Sequence, residues 1–317
     1  MACARARALC VVRDPALRRT LRRSLLATGS EVEFRDSLVK GGVAPGTILF
    51  IDRETRRDAE LPALMQVIGE GGRVVVLGDS LGDTDLVQLL RERPIDHVIG
   101  EGAPDEVELV VTSVKLLSGD IFGLEKYLSW GAAVTEKEVA TYDDKREALS
   151  RVAAAAQAVG ARRQLASSIE STADELLMNA LYDAPATRDG GAGKEGLRER
   201  IRSANVPLDR SGASALLRHA CDGRYFALSV LDRYGALDKQ VILDSVLRAR
   251  AEGGRPRQEG GAGLGLYFVL SSVTRFIANI EPGRRTEVVC LFDLRESGRQ
   301  AQRWARSLHI FSTARRP

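Results

Sequence analysis

The chain has 317 residues, 44% of them hydrophobic and 28% charged, with 46 Lys and Arg against 43 Asp and Glu for a net charge of +3. Two domains are the expectation at this length, and the composition excludes a disordered chain. The near balance of interspersed charge gives no reason for nucleic acid as a partner. No apolar run approaches the ~18 residues needed to cross a bilayer, so a membrane is not expected either.

The opening "MACARARALCVVRD" has a five-residue apolar core before charge returns, a poor match to a signal peptide. The four cysteines, Cys3, Cys10, Cys221 and Cys290, show no Cys-x-x-Cys spacing. Cys10 and Cys290 stand in the apolar runs "ALCVV" and "VVCLF", where a thiol acts as a small hydrophobe. A reduced, cytoplasmic setting is expected.

Residues 1–120 alternate short apolar runs with helical periodicity. "ALCVV", "TILFID", "RVVVLGDS" and the weaker "DHVIG" read as buried strands. Between them "PALRRTLRRSLLATG", "LPALMQVIGEGG" and "TDLVQLLRERP" repeat at 3.6 residues. In the first helix Leu17, Leu21 and Leu25 share a stripe, and Arg18, Arg19, Arg22 and Arg23 make a solvated face. The alternation predicts a doubly wound α/β domain, a parallel sheet with helices on both faces and ligands at the carboxyl ends of its strands.

The strand ends resemble those of response-regulator receiver domains. "VVRDP" supplies Asp14, with Arg13 where receivers have a second acid. "LFID" puts Asp52 at the phosphoacceptor position, and "LGDS" supplies Ser80 as a switch hydroxyl. After "HVIG", Gly100 or Glu101 stands where receivers carry a Lys. An acid there would repel an aspartyl phosphate. The resemblance implies a pseudo-receiver that docks a partner in preference to a working phosphoacceptor at Asp52.

Residues 121–165 read as a linker with a connecting helix. Its Ala-rich part, "KREALSRVAAAAQAVGARRQ", fits either a packed or exposed connector or a helix that pairs with a second copy in a homodimer.

A helix is predicted around Leu165–Asp183, ended by Pro185. Leu176, Leu177, Ala180 and Leu181 form its apolar face, and Glu175, Asn179 and Asp183 a polar stripe beside it. An ordinary amphipathic helix has this pattern. So has one whose Asn oxygen binds Mg²⁺ beside phosphates and whose Glu accepts a proton. The β-rich "YFALSVL" runs into Asp232, with Gly235 three residues on, and such a carboxylate can accept a hydrogen bond from the amine of adenine. Gly260, Gly261, Gly263 and Gly265 then lead into "LYFVLSSVTRF", where backbone N–H groups at a helix start suit an anion. Neither the dinucleotide fingerprint nor the Gly-Lys-Ser/Thr loop fits, because the required strand or lysine is missing.

In this order the three boxes resemble the ATP-binding domain shared by histidine kinases, anti-sigma-factor serine kinases, gyrase-type topoisomerases and heat-shock chaperone ATPases, over residues 166–296. The N box is Glu175–Asn179–Ala180. The first glycine box keeps Asp232 and Gly235 but loses its second glycine, and the second is complete from Gly261 through Gly263, Leu264 and Gly265 to Leu266. The resemblance implies an α/β sandwich with helices on one face of a mixed sheet. It also implies ATP and Mg²⁺ as cofactors, Thr286 in the adenine pocket and a lid between Gly235 and Gly261. Neither the insert at 186–222 nor the basic tail at 297–317 is assigned a role. His97, His219 and His309 all lie outside residues 120–175, so autophosphorylation on His is not expected, and the extra domains of the topoisomerases and chaperones find no room.

The anti-sigma-type serine kinases are the nearest group. By that likeness Glu175 is the base for a protein hydroxyl and Asn179 the magnesium ligand, while Asp183 replaces their usual His or basic residue. Two functions follow from the resemblance. One is an intracellular signalling kinase acting on Ser or Thr of a partner, such as an anti-anti-sigma-like or response-regulator protein. The other is a non-catalytic ATP-binding module whose receiver-like half docks that partner.

Overall fold

A computed structural model describes residues 6–38, 43–58, 61–93, 95–100, 104–184, 214–251, 264–295 and 304–313. The chain divides into two compact units. The first runs to Ile121 and also takes Arg306–Phe311, and the second runs from Phe122 to Ala305.

The first unit contains β1 (Arg7–Val11), α1 (Pro15–Ala27), β2 (Glu31–Arg35), β3 (Ile48–Asp52), α2 (Arg53–Asp58), α3 (Leu61–Gly69), β4 (Arg73–Asp79), α4 (Thr84–Glu92), β5 (His97–Gly100) and α5 (Glu106–Ser118). Its strands lie in the order β2-β1-β3-β4-β5, all parallel. This is one of the doubly wound orders, with its switch point between β1 and β3. The four predicted strands are buried along most of their length, and cover on both faces is why they read as unbroken apolar runs. β2 ("EVEFR") has no fully buried residue, so its alternation with charge concealed it.

Asp14 caps α1 by accepting the Ala16 N–H at 2.8 Å, with Pro15 in the first turn. Leu21 and Leu25 are buried, and the arginines opposite are engaged locally. Arg18 and Arg22 lie over the Phe34 ring at 5.2 and 5.1 Å, and Arg18 also pairs with Asp36. Cys10 is fully buried, which pushes its thiol up to about 12.

The segment 297–317, expected as a basic tail, carries a strand instead. β11 (Ser307–Ser312) runs antiparallel to β5, with Leu308 opposite Val98 and His309 opposite His97. A Cβ at Gly100 would overlap the Arg306 carbonyl, so the close approach needs glycine there. His309 Nε2 lies 3.1 Å from Glu108 Oε1, and the Lys115 ammonium sits 3.9 Å from the centre of the Phe311 ring. Flanking arginines hid "SLHIF", an apolar core too short to stand out in the sequence.

The second unit contains β6 (Thr135–Val139), α6 (Tyr142–Ala158), α7 (Arg163–Met178), a π-helical turn (Asn179–Asp183), β7 (Ala215–Cys221) and β8 (Tyr225–Asp232). These are followed by α8 (Lys239–Ala251), α9 (Leu264–Ser272), β9 (Arg275–Glu281) and β10 (Arg285–Asp293). The strands lie in the order β9-β10-β8-β7-β6. Every one of these pairings is antiparallel, where a mixed sheet was expected. The tight turns after Cys221 and Glu281 dictate this for β7–β8 and β9–β10, since two-strand hairpins are antiparallel by construction.

β6 and α6 fall in the stretch expected as linker, and both belong to this unit. A capping box between Thr141 and Asp144 starts α6. Ala148, Val152 and Ala156, one turn apart, are buried as α6 packs on α7. Neighbours along a strand face opposite ways. His219 is buried and stacks on Phe226, and burial, then the Arg151 charge on α6, push its pKa down. Arg218 reaches in the other direction to Glu125, in a short 3₁₀ turn at Leu124–Tyr127. Helices therefore cover one face of this sheet and the 122–128 segment the other.

Candidate functional site

β8 ends in Asp232, buried on the helix-covered face, and Thr286 of β10 stands directly across the ladder from it. Asp232 Oδ1 accepts the Tyr234 N–H at 2.8 Å and the Gly235 N–H at 3.2 Å. That turn explains the Asp-x-x-Gly spacing. Gly235 has φ +61, and a Cβ there would overlap the Glu281 carbonyl oxygen, so only glycine allows the chain to press against the β9–β10 turn. Burial pushes the Asp232 pKa up. The backbone N–H groups and then Thr286 pull the other way without cancelling it. The Thr286 hydroxyl, buried beside the carboxylate, makes no hydrogen bond of normal geometry.

Leu176, Leu177, Ala180 and Leu181 are buried, as the helical pattern requires. The helix widens at its end, and the Ala184 N–H bonds to the Asn179 carbonyl five residues back. A π turn advances less per residue than an α-helix. Asp183 therefore does not continue the regular stripe of Glu175 and Asn179. The turn packs against β8, and α7 packs against α9.

At that second contact the Glu175 carboxylate lies against Gly265, where a Cβ would overlap it. Leu264 and Gly265 open α9, whose first N–H groups have no partner within the helix. Gly260, Gly261 and Gly263, the residues from 252 on in the stretch expected as a lid, and most of the 186–222 insert lie outside the described residues.

Glu175 and Gly265 are thus brought together across two helices, and Asp232 and Thr286 across two strands, with Gly235 in the turn that follows β8. A buried carboxylate beside a buried hydroxyl suits a ligand carrying an amine and a ring nitrogen, as adenine does. Among the described residues no three His, Cys, Asp or Glu gather as a metal-binding group. Lys239, the first residue of α8, escaped notice in the sequence. Burial lowers its ammonium to about 7.

In the first unit, Asp52 accepts the Arg13 N–H on Oδ2 and the Thr55 N–H on Oδ1, both at 2.7 Å. The Arg13 side chain turns to Glu54 at 3.4 Å. Ser80 Oγ accepts the Gly82 N–H at 3.0 Å. Beside them Asp79 is fully buried, with Arg56 bonded to its Oδ2 and Arg53 3.7 Å from its Oδ1. The same two arginines reach Asp83 at 3.3 and 3.4 Å. These arginines follow β3 in "DRETRRD", and nothing in that charged run marks Arg56 as a residue to be buried. Glu101 lies outside the described residues.

Compared with protein-family models and with curated proteins, the chain matches none.

Proposed function

We propose that the second unit binds Mg-ATP in the manner of the histidine-kinase and anti-sigma-kinase ATPases, and that the protein is an intracellular signalling kinase acting on Ser or Thr of a partner. The placement of Glu175 against Gly265 carries this reading. It brings the N box and the last glycine of the second glycine box together where α7 packs on α9, residues far apart in the chain. A π turn at the same place adds support, because such turns recur at functional sites.

Bound Mg-ATP would supply an electrophilic terminal phosphoryl group. Asp232 accepts a hydrogen bond from the base amine, and the buried Thr286 hydroxyl beside it completes the polar edge. The first N–H groups of α9 donate to phosphate oxygens. Asn179 offers its amide oxygen to the magnesium ion, and Glu175 takes the proton from the attacking hydroxyl. His97, His219 and His309 are all buried on strands. That supports a kinase acting on a partner hydroxyl over one that phosphorylates its own histidine.

The first unit is a receiver-like docking domain in this reading. Both Asp52 oxygens already hold backbone N–H groups, and Arg13 stands where a metal-binding acid is wanted. Its partner is a signalling protein of the anti-anti-sigma or response-regulator kind.

A non-catalytic ATP-binding module is the second reading, favoured by Asp183 standing where a basic residue is usual. Labelled ATP, Mg²⁺ and candidate partners decide between the two. Transfer that disappears in Glu175→Ala, with nucleotide binding kept, supports the kinase. Binding with neither transfer nor hydrolysis supports the module. Absence of binding in the wild type, or binding unaffected by Asp232→Ala, overturns both.

A further inference from the structure

The first three residues of β10 grip different things on the two faces of the sheet. Thr286 faces the helices and stands across from Asp232. Arg285 and Glu287 face the other way, onto the segment with which the second unit begins. The Arg285 guanidinium lies 4.0 Å from the centre of the Phe122 ring. Glu287, 1% exposed, accepts the Gly123 N–H at 2.8 Å and the Asn279 amide N–H at 2.9 Å on the same oxygen. Arg218 bridges to Glu125 at 3.2 Å and approaches Glu287 at 3.9 Å. Within the segment Leu124 and Tyr127 are buried, and Gly123 takes φ +118, which is open to glycine.

A buried carboxylate is costly unless its partners are kept, so this cluster is stable only while the segment stays docked. The nucleotide chemistry proposed above uses none of these residues.

We propose that Glu287 and Arg285 are positioning residues for the nucleotide site. They fasten residues 122–128 as a strap on the rear face, and the fastened strap holds the start of β10 in the register that sets Thr286 against Asp232. The part that concerns nucleotide affinity rests on the ATP-binding reading; the coupling across the sheet does not. By thermodynamic linkage, whatever the strap contributes to nucleotide affinity, bound nucleotide returns to the docking of the strap.

Amide hydrogen exchange on the full chain tests this with Glu287→Gln, which keeps the shape but removes the charge. A second variant, Phe122→Ala, loosens the strap at its Arg285 contact while leaving Glu287, Thr286 and the rest of the β10 sequence in place. Without nucleotide, exchange is expected to rise about tenfold at Gly123, and also at Tyr234 and Gly235, whose N–H groups bond to Asp232. Faster exchange at Gly123 alone, in both variants, overturns the coupling. A non-hydrolysable ATP analogue is expected to bind both variants about fivefold or more weakly and to slow Gly123 exchange in the wild type. Unchanged affinity with a released strap also overturns it. If the wild type binds no analogue, the ATP-binding reading falls, and exchange at Tyr234 and Gly235 still decides whether the strap sets the register. If Glu287→Gln does not fold, Phe122→Ala gives the same comparison.

Discussion

The Glu175 carboxylate rests on Gly265, and a Cβ at that glycine would occupy the same space. The overlapping atoms belong to the far end of a side chain that can rotate away. Gly265→Ala is therefore expected to cost only about 1 kcal/mol in denaturant unfolding, the low end of overpacking. What it removes is the placement of Glu175. Phosphoryl transfer should fall in Gly265→Ala as far as in Glu175→Ala, and the double variant should be no worse than either. Additive losses would show that the two residues act separately.

Thr286 separates stability from binding. Its buried hydroxyl stands beside the Asp232 carboxylate and helps hold its charge, so Thr286→Val should cost no more than about 1 kcal/mol of stability. Nucleotide affinity should nevertheless drop about tenfold, as expected when about 1.4 kcal/mol of ligand contact is lost. Calorimetric titration beside a thermal melt checks both, and parallel losses would count against the assignment.

In the proposed nucleotide site, Asp232 should make affinity depend on pH. Its pKa is raised, so the carboxylate protonates at a higher pH than an ordinary Asp and then no longer accepts a hydrogen bond from a base amine on that oxygen. Affinity should weaken as pH falls through that value. The stability contribution has the opposite sense, being present at low pH and lost as pH rises through the raised pKa. Affinity measured against pH in wild type and Asp232→Asn checks the first statement, and the variant should lose the dependence.

Arg56 and Asp79 form a buried pair in the first unit. Removing the arginine alone leaves a buried carboxylate without its closest partner, so Arg56→Ala is expected to cost about 3–5 kcal/mol. Arg56→Met with Asp79→Leu removes both charges and should recover most of that loss. A single-variant loss under about 1 kcal/mol would show the pair to be an ordinary surface contact.

Lys239 gives an alkaline signature. The folded protein releases this proton near 7 and the unfolded chain near 10.5, so stability from this residue rises with pH across that window. Each unit of the difference corresponds to about 1.4 kcal/mol. Lys239→Met should flatten the slope in urea titrations over the window, and an unchanged slope would show that the ammonium is solvated.

Alternation of buried strands and helices made most of the first unit legible, because strands covered on both faces carry uninterrupted apolar runs. β2, α2, α5 and β11 did not show. β2 is half exposed and charged, and β11 is a few apolar residues among arginines that acquire meaning only beside β5. In the second unit β6 ("TEKEV") reads as polar linker, since an edge strand can be charged on its solvent side.

By itself the sequence determined local properties: the buried strands of the first unit, the apolar face ending at Leu181, and the burial of Cys10 and Cys290. These follow from spacing along the chain, which the sequence states directly. Only the tertiary structure decided which distant residues meet. It set Glu175 against Gly265, Thr286 opposite Asp232, Arg56 on Asp79, Glu287 on Gly123 and the C-terminal strand on β5. Each of these depends on strand register or helix packing, and both come from burying whole faces together rather than from any short run of residues.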